Sequence, residues 1–367
     1  MRVLQIHTSL SGGGIQAVVC NLANELFKKN IDVTVCSISQ PNEKDIFWNK
    51  INENIKKITL GKKGGGFSIP IVFKIYKYLK SNKYDIVHIH GFFCYYFLSV
   101  LLLHHRIKFV YTLHSDAYKE NGKWDRRFFM IKKYSFKKKW ILPITISHAS
   151  QESFFSLYDC KSKLVYNGIP KPEKVNTDDF KDVEVNTYRY TAKTKVFVHV
   201  GRIDLPKNQI VLCNVFQRLI DDGCDVVLLI VGGVTSSDIF KKIQPFFNDR
   251  IVYLGPRDNI SQLMSQCDAM CLPSLWEGLP IVLLEALSVG CIPICSPVGG
   301  IVNVITHGVN GILSKSSNFD DYYQAIRCFL ELTDKNKKVI SSRCLESFKQ
   351  YTVEQMAQNY LSAYLDN

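Results

Sequence analysis

Two carboxylates and two cations are the residues whose types and spacing bear most directly on chemistry. Glu277 and Glu285 are separated by seven residues, within Pro273-Ser274-Leu275-Trp276-Glu277-Gly278-Leu279-Pro280 and the run that continues to Ala286. Arg202 and Lys207 lie in Gly201-Arg202-Ile203-Asp204-Leu205-Pro206-Lys207-Asn208. Carboxylates accept hydrogen bonds from sugar or ribose hydroxyls, and two fixed cations can stabilise the charge that develops on a departing diphosphate. Pro280 suits the first turn of a helix, which puts Glu277 in the preceding loop and Glu285 in the second turn. Helical side chains lean toward the helix N-terminus, so both carboxylates can address one ligand there, beside exposed backbone N–H groups that favour a diphosphate. By itself the pair also fits a solvent-exposed glutamate and a loop cap.

The elements that must position these residues read as an alternation of short β-rich apolar runs and helical patterns, the signature of an α/β architecture with parallel sheets. Strands are expected at 2–7, 31–38, 85–90, 108–113 and 141–146, then at 195–200, 225–231, 250–254, 267–272 and 291–295. Helices are expected near 14–29, 69–81, 124–139, 207–221, 237–246, 258–266 and 280–289. Three more close the chain at 319–332, 335–349 and 353–365, with no further strand. A polar segment, 171–194, reads as the linker between an N-terminal domain (1–170) and a C-terminal domain (195–350). Ligands of open α/β sheets bind beyond the carboxyl ends of the strands, which is where the candidate residues fall.

With Gly290, Pro293, Gly299 and Gly300 following, the segment EGLPIVLLEALSVGCIPI resembles the E-x7-E hallmark of retaining glycosyltransferases of the GT-B fold (glycosyltransferase family 4, glycosyl transferases group 1). The stretch from Gly201 to Asn208 is similar to that family's G-R-x-x-x-x-K-N element. The resemblance covers nearly the whole chain, most strongly 196–313. It implies two facing Rossmann-like domains, the first for the acceptor and the second for the nucleotide-sugar donor, with helix 353–365 (within 351–367) packing back on the first. It implies that Glu277 faces the donor sugar and Glu285 binds the ribose. Gly201, Arg202, Lys207, Gly278, Leu279 and Pro280 would lie along the phosphates, and Gly255 and Arg257 of YLGPRDN near the base. Transfer would retain anomeric configuration by front-face attack, so neither glutamate need be a nucleophile. A glycoside hydrolase also uses two carboxylates, but it does not need the Arg202 and Lys207 clamp.

The first half carries a compatible but weaker pattern. Strand 2–7 runs into Ser11-Gly12-Gly13-Gly14-Ile15-Gln16-Ala17, which also satisfies a dinucleotide fingerprint. A dehydrogenase would place an acidic residue at the end of the second strand, and Val35-Cys36-Ser37-Ile38-Ser39 has none. The resemblance places Gly13 and Gly14 beside the donor phosphate and Gly12 on the acceptor side. Thr112-Leu113-His114-Ser115-Asp116 is similar to the family's T-x-H-D segment. His114 there is expected either to hydrogen-bond the donor sugar or to be satisfied by local backbone. His90 is expected on the acceptor side and His88 in the core. In Asn167-Gly168-Ile169-Pro170 the proline replaces the family's acidic residue, so no role is carried to that position.

Composition bounds the partners. The 367 residues are 46% hydrophobic and 22% charged, enough for a sizeable core, and carry a net charge of +13. Twelve cysteines are scattered without a CxxC pair and, with no signal peptide read at the start, are expected as reduced, buried thiols of a cytoplasmic protein. The longest apolar run, Phe92–Leu103, is shorter than the ~20 residues of a bilayer-spanning helix. Residues 119–139 hold nine Lys or Arg interleaved with aromatic residues, either a basic amphipathic stretch for an anionic membrane surface or an ordinary solvated helix. No nucleic-acid motif accompanies them. Histidines lack metal-ligand spacing, and no D-x-D pair follows a strand, so neither metal nor cofactor is expected. The reading is a metal-independent hexosyltransferase using a nucleotide sugar, probed against two rivals. These are a nucleotide-sugar epimerase of similar architecture and a catalytically silent sugar-binding scaffold.

Overall fold

The computed structural model describes residues 1–11, 13–41, 45–64, 66–120, 123–172 and 185–366. The chain divides into two compact units, Met1–Pro170 with Tyr351–Asn367, and Lys171–Gln350. Each is a parallel sheet with helices on its faces, as the alternation of patterns predicts.

The first sheet has the order β3-β2-β1-β4-β5-β6-β7. Its strands are β1 (Arg2–His7), β2 (Asp32–Ser39), β3 (Lys56–Lys62), β4 (Ile86–His90), β5 (Lys108–Leu113), β6 (Ile141–Thr145) and β7 (Lys163–Leu164). Side chains alternate between faces along a strand, and here the two faces differ in chemistry. Leu4, Ile6, Val87, Ile89, Phe109, Tyr111 and Leu113 join one apolar core. Their neighbours Gln5, His7, His88, His90, Thr112 and His114 are also buried but polar. The C-terminal helix, Val353–Leu365, serves that second face: Tyr364 Oη lies 2.7 Å from His88 Nδ1, and Tyr360 Oη 3.1 Å from Thr112 Oγ1. It buries Val353, Met356, Ala357, Tyr360, Ala363 and Tyr364, one helical stripe at three- and four-residue spacing. A Cβ on Gly168 would sit 2.4 Å from the Thr352 carbonyl oxygen, so glycine lets the returning chain cross there.

The second sheet has the order β10-β9-β8-β11-β12-β13. It comprises β8 (Lys195–Val200), β9 (Val226–Val231), β10 (Ile251–Gly255), β11 (Ala269–Leu272), β12 (Ile292–Cys295) and β13 (Ile312–Leu313). Central β9, Val-Val-Leu-Leu-Ile-Val, is buried along its full length, as a parallel strand covered on both faces must be.

Three expectations are corrected. Of the expected linker 171–194, the part from Val185 onward packs onto the second unit. Val185 is buried, and Arg189 pairs with Asp268 at 2.7 Å. A strand does follow residue 295, the two-residue β13, too short to leave a pattern. The basic stretch 119–139 is not one amphipathic helix but pieces at Ala117–Glu120, Lys123–Arg127 and Phe129–Lys137. Within it Asp125 and Lys132 are buried and paired at 3.7 Å. The cysteines are free, and all but Cys160, Cys224 and Cys328 are buried. No helix among the described residues is long and apolar enough to cross a membrane.

Candidate active site

In each sheet the strand order reverses direction once, between β1 and β4 in the first and between β8 and β11 in the second. Loops that leave the carboxyl ends of two such strands diverge to opposite faces and open a crevice. The candidate residues occupy those two positions.

In the second unit, one loop leaves β8 at Gly201 and the other leaves β11 at Pro273. Two contacts join them: Leu275 N–H donates to the Pro206 carbonyl at 2.8 Å and Asn208 Nδ2 to the Pro273 carbonyl at 3.1 Å, while Asn208 Nδ2 also donates to the Ser317 carbonyl, after β13, at 3.0 Å. Asn208 adopts the left-handed conformation, φ 56°, which asparagine tolerates better than most residues. The joined loops bring Lys207 Nζ to 2.6 Å from Glu277 Oε1, and Ser274 Oγ donates to the same oxygen at 2.7 Å. Both charged side chains are largely enclosed, 15% exposed for Lys207 and 12% for Glu277. Arg202 differs: its side chain is 60% exposed and lies 3.3 Å from Asp204. A third loop closes over Glu277. Gly299, at φ 54°, lies so near that a Cβ would stand 1.8 Å from the Glu277 carbonyl oxygen, and Gly300 N–H donates to Gly278 at 2.6 Å.

The helix expected from Pro280 spans Ile281–Ser288, with Pro280 at its N-cap rather than in its first turn. Glu285 falls in the second turn, partly exposed among Leu283, Leu284, Ala286 and Leu287, which are buried. Leu279 is buried and Gly278 partly exposed. Gly255 ends β10, its carbonyl accepting from Gly232 N–H at 2.9 Å, and Arg257 beyond it is exposed. The sequence reading missed Ser274 and the Asn208 staple. A serine three residues before Glu277 is a local signal for the first; the second depends on a partner 65 residues away.

In the first unit, Gly13 is the N-cap of helix Gly14–Lys28 directly after β1, and Gly14 is exposed at its start. Gly12 lies outside the described residues. His114 follows β5, 7% exposed, and burial pushes its imidazole down to about 3. It is therefore a neutral hydrogen-bonding group at ordinary pH. His90 does not line a surface: it is fully buried behind His114, with its Nδ1 2.9 Å from His114 Nε2. His88 is core, as expected.

The basic stretch supports His114 from below. Glu120 Oε2 accepts the backbone N–H groups of His114 (2.7 Å) and Ser115 (3.1 Å), while its Oε1 accepts from Tyr111 Oη at 3.0 Å. Lys132 Nζ donates to Tyr111 Oη at 3.0 Å, and Asp125 beyond it accepts the N–H groups of Phe93 and Cys94. Burial, resisted by Lys132, Tyr111 and the His114 N–H and reinforced by Asp125, pushes the Glu120 carboxyl up to about 6. The ionised form is the one that holds both N–H groups, so this hold weakens as pH falls through about 6. Folding stability runs the other way. A carboxyl raised above its unfolded value makes a stabilising contribution that is complete at low pH and is lost as pH rises through about 6. The acid limb of the kcat/KM profile is therefore expected near pH 6, and Glu120→Gln is expected to remove it because an amide does not titrate. An unchanged acid limb in Glu120→Gln contradicts this role.

Among the described residues, no group of three or more His, Cys, Asp or Glu could hold a metal ion. Two parallel-sheet units, each with its candidate residues at the switch point of its sheet, define a two-domain α/β fold of Rossmann-like units. Comparison with known proteins identifies it further. Residues 182–343 match the family model described as Glycosyl transferases group 1, and residues 12–171 that of Glycosyltransferase Family 4. The structure is similar to that of Anabaena Alr3699/HepE in complex with UDP-glucose, with TM-score 0.81 and 21% identity over 99% of this chain and 100% of that one. Among curated relatives, the chain is 26% identical to the Escherichia coli UDP-Gal:alpha-D-GlcNAc-diphosphoundecaprenol alpha-1,3-galactosyltransferase, over 74% of this chain and 73% of that protein. It is 25% identical to the Bacillus anthracis N-acetyl-alpha-D-glucosaminyl L-malate synthase, over 82% of this chain and 79% of that protein. The chain belongs to glycosyltransferase family 4, the glycosyl transferases group 1, and has the GT-B glycosyltransferase fold.

Proposed function

We propose that this glycosyltransferase is a retaining, metal-independent hexosyltransferase. It moves a sugar from a UDP-sugar to a saccharide or lipid-linked saccharide in the synthesis of a bacterial capsule, exopolysaccharide or O-antigen. The observation that carries this reading is the Lys207–Glu277 pair, 2.6 Å apart and largely enclosed at the switch point of the second sheet. Lys207 and the exposed Arg202 take the diphosphate, Glu277 the sugar and Glu285 the ribose. The second unit is thus the donor domain, and the first serves the acceptor through Gly12, while Gly13 and Gly14 serve the donor phosphate and His114 the donor sugar. As the bond between the anomeric carbon and the phosphate oxygen breaks, Lys207 and Arg202 stabilise the charge left on the diphosphate. The acceptor hydroxyl attacks the oxocarbenium-like carbon from the face the phosphate leaves, and its proton passes to the departing phosphate oxygen. Glu277, held by Lys207 and Ser274, stays a carboxylate throughout.

UDP as the nucleotide is supported by the UDP-Gal named for the Escherichia coli relative and by the UDP-glucose complex of the Anabaena protein. The diphosphoundecaprenol in the former's name supports a lipid-linked acceptor. Such an acceptor places the enzyme in the cytoplasm, peripheral on the inner face of the plasma membrane. The membrane-facing part of 119–139 is then Arg126, Arg127, Met130, Tyr134, Lys137, Lys138 and Lys139, all exposed. Sedimentation with anionic vesicles at low salt tests that contact, and failure to co-sediment removes it.

The test of the reaction is incubation with UDP-glucose, UDP-galactose and UDP-N-acetylglucosamine in EDTA, with and without acceptor saccharides, followed by NMR of the anomeric protons. A product with the donor's configuration is expected. A new nucleotide sugar formed without acceptor favours the epimerase, and no turnover of any donor favours the sugar-binding scaffold.

A further inference from the structure

We infer that His90 is a positioning residue that fixes which ring nitrogen of His114 carries the proton, so that His114 presents Nδ1–H to the substrate. The inference rests on the reading that His114 faces the donor sugar.

Three hydrogen-bonding constraints lead to it. His90 is fully buried, and its Nε2 has no hydrogen-bond partner among the described residues. A buried N–H without a partner is much rarer, and costlier, than a buried lone pair without one. The single proton of a neutral His90 therefore sits on Nδ1. That atom lies 2.9 Å from His114 Nε2, so His90 donates and His114 accepts. The proton of a neutral His114 is then left on Nδ1, which makes no hydrogen bond with the described residues. Burial lowers both imidazoles well below their ordinary range, which keeps both rings neutral.

His90 is held at its backbone and against one face of its ring. Its backbone carbonyl accepts from His7 Nδ1 at 2.7 Å. His88 packs against it with ring centroids 4.0 Å apart, and His88 is itself bonded at both nitrogens, to Tyr364 and Thr112 at 2.7 Å each. His114 is anchored at its backbone by Glu120, so a defined N–H is offered at a defined place. Such a donor suits a sugar hydroxyl or ring oxygen and does not suit a role as a proton acceptor.

The direct test is long-range 15N–1H correlation NMR of the full-length protein, with His114 assigned by its disappearance in His114→Ala. The Nδ1–H tautomer is expected for His114, and the Nε2–H tautomer overturns the inference. Hydrolysis of the fastest-turned-over of the three UDP-sugars above gives the second readout. His90→Leu is expected to lower kcat about tenfold with little change in donor KM, since a bond that orients one catalytic contact is lost. His90→Asn, whose amide N–H stands near the position of Nδ1–H, is expected to recover most of that loss. Equal loss in His90→Asn and His90→Leu also overturns it, because a packing role alone predicts that result. If His90→Leu unfolds, the wild-type tautomer still decides. Full activity in His114→Ala instead removes the reading that His114 faces the sugar, and leaves the tautomer measurement standing.

Discussion

Glu277→Ala is expected to lower kcat/KM for the sugar donor about a thousandfold, mainly in kcat. The carboxylate does two things that alanine cannot. It presents its remaining acceptor capacity to the donor sugar, and it holds Lys207 through Oε1 at 2.6 Å, with Ser274 on the same oxygen at 2.7 Å. Removing it frees the Lys207 ammonium in a site where that side chain is only 15% exposed, so some stability is lost as well. Glu277→Gln separates the two effects. Its amide oxygen can still accept from Lys207 and Ser274, so thermal stability should stay near wild type while kcat remains strongly reduced. Steady-state kinetics beside a thermal melt checks this. A Glu277→Gln variant with wild-type kcat contradicts a role for this carboxylate in transfer.

Lys207→Ala carries the second large effect, a fall of about a hundredfold in kcat/KM with a raised donor KM. Here the loss should appear in binding as well as in rate, because the diphosphate is charged before and after the bond breaks. Arg202→Ala is expected to cost less, about tenfold. Its guanidinium is 60% exposed and turned to Asp204 at 3.3 Å, and solvent-screened charges contribute little. The order Lys207 above Arg202 is therefore itself a result to check, by the same kinetics. Equal losses in the two variants contradict the difference in enclosure as its cause.

The fold was legible where burial is long and continuous. β9 and β8 announce themselves as apolar runs, and the stripe of Val353–Leu365 announces a helix with one covered face. β3 escaped notice because Lys56–Lys62 is a polar edge strand, and β7 and β13 because two residues carry no period. Helix His148–Tyr158 was missed because its apolar stripe is weak, although Ser147 and Ser150 form a capping box at its start. The stretch 119–139 misled for a physical reason. A lysine buried against a distant tyrosine and a nearby aspartate looks, in sequence, like any lysine on a solvated face. Only the packing of β5 beneath it shows that Glu120, Asp125 and Lys132 point inward.

The site was legible in its parts and not in their joining. Each loop could be placed after a strand, and parallel topology requires those ends to share an edge. What spacing alone does not contain is that Lys207 and Glu277, 70 residues apart, form one ion pair. The reading of two separate halves, a phosphate clamp and a sugar-holding carboxylate, becomes a single unit in which the cation is already oriented by the carboxylate. The same applies to His114, read as a lone strand-end histidine and found between a buried His90 and the Glu120 carboxylate.

Calorimetric titration of UDP in EDTA, into wild type, Lys207→Ala and Glu277→Gln, tests the central claim most directly. One UDP is expected to bind the wild type, with affinity reduced at least tenfold in Lys207→Ala and nearly unchanged in Glu277→Gln, because that carboxylate faces the sugar that UDP lacks. Equal UDP affinity in wild type and Lys207→Ala contradicts the placement of the donor diphosphate at this pair.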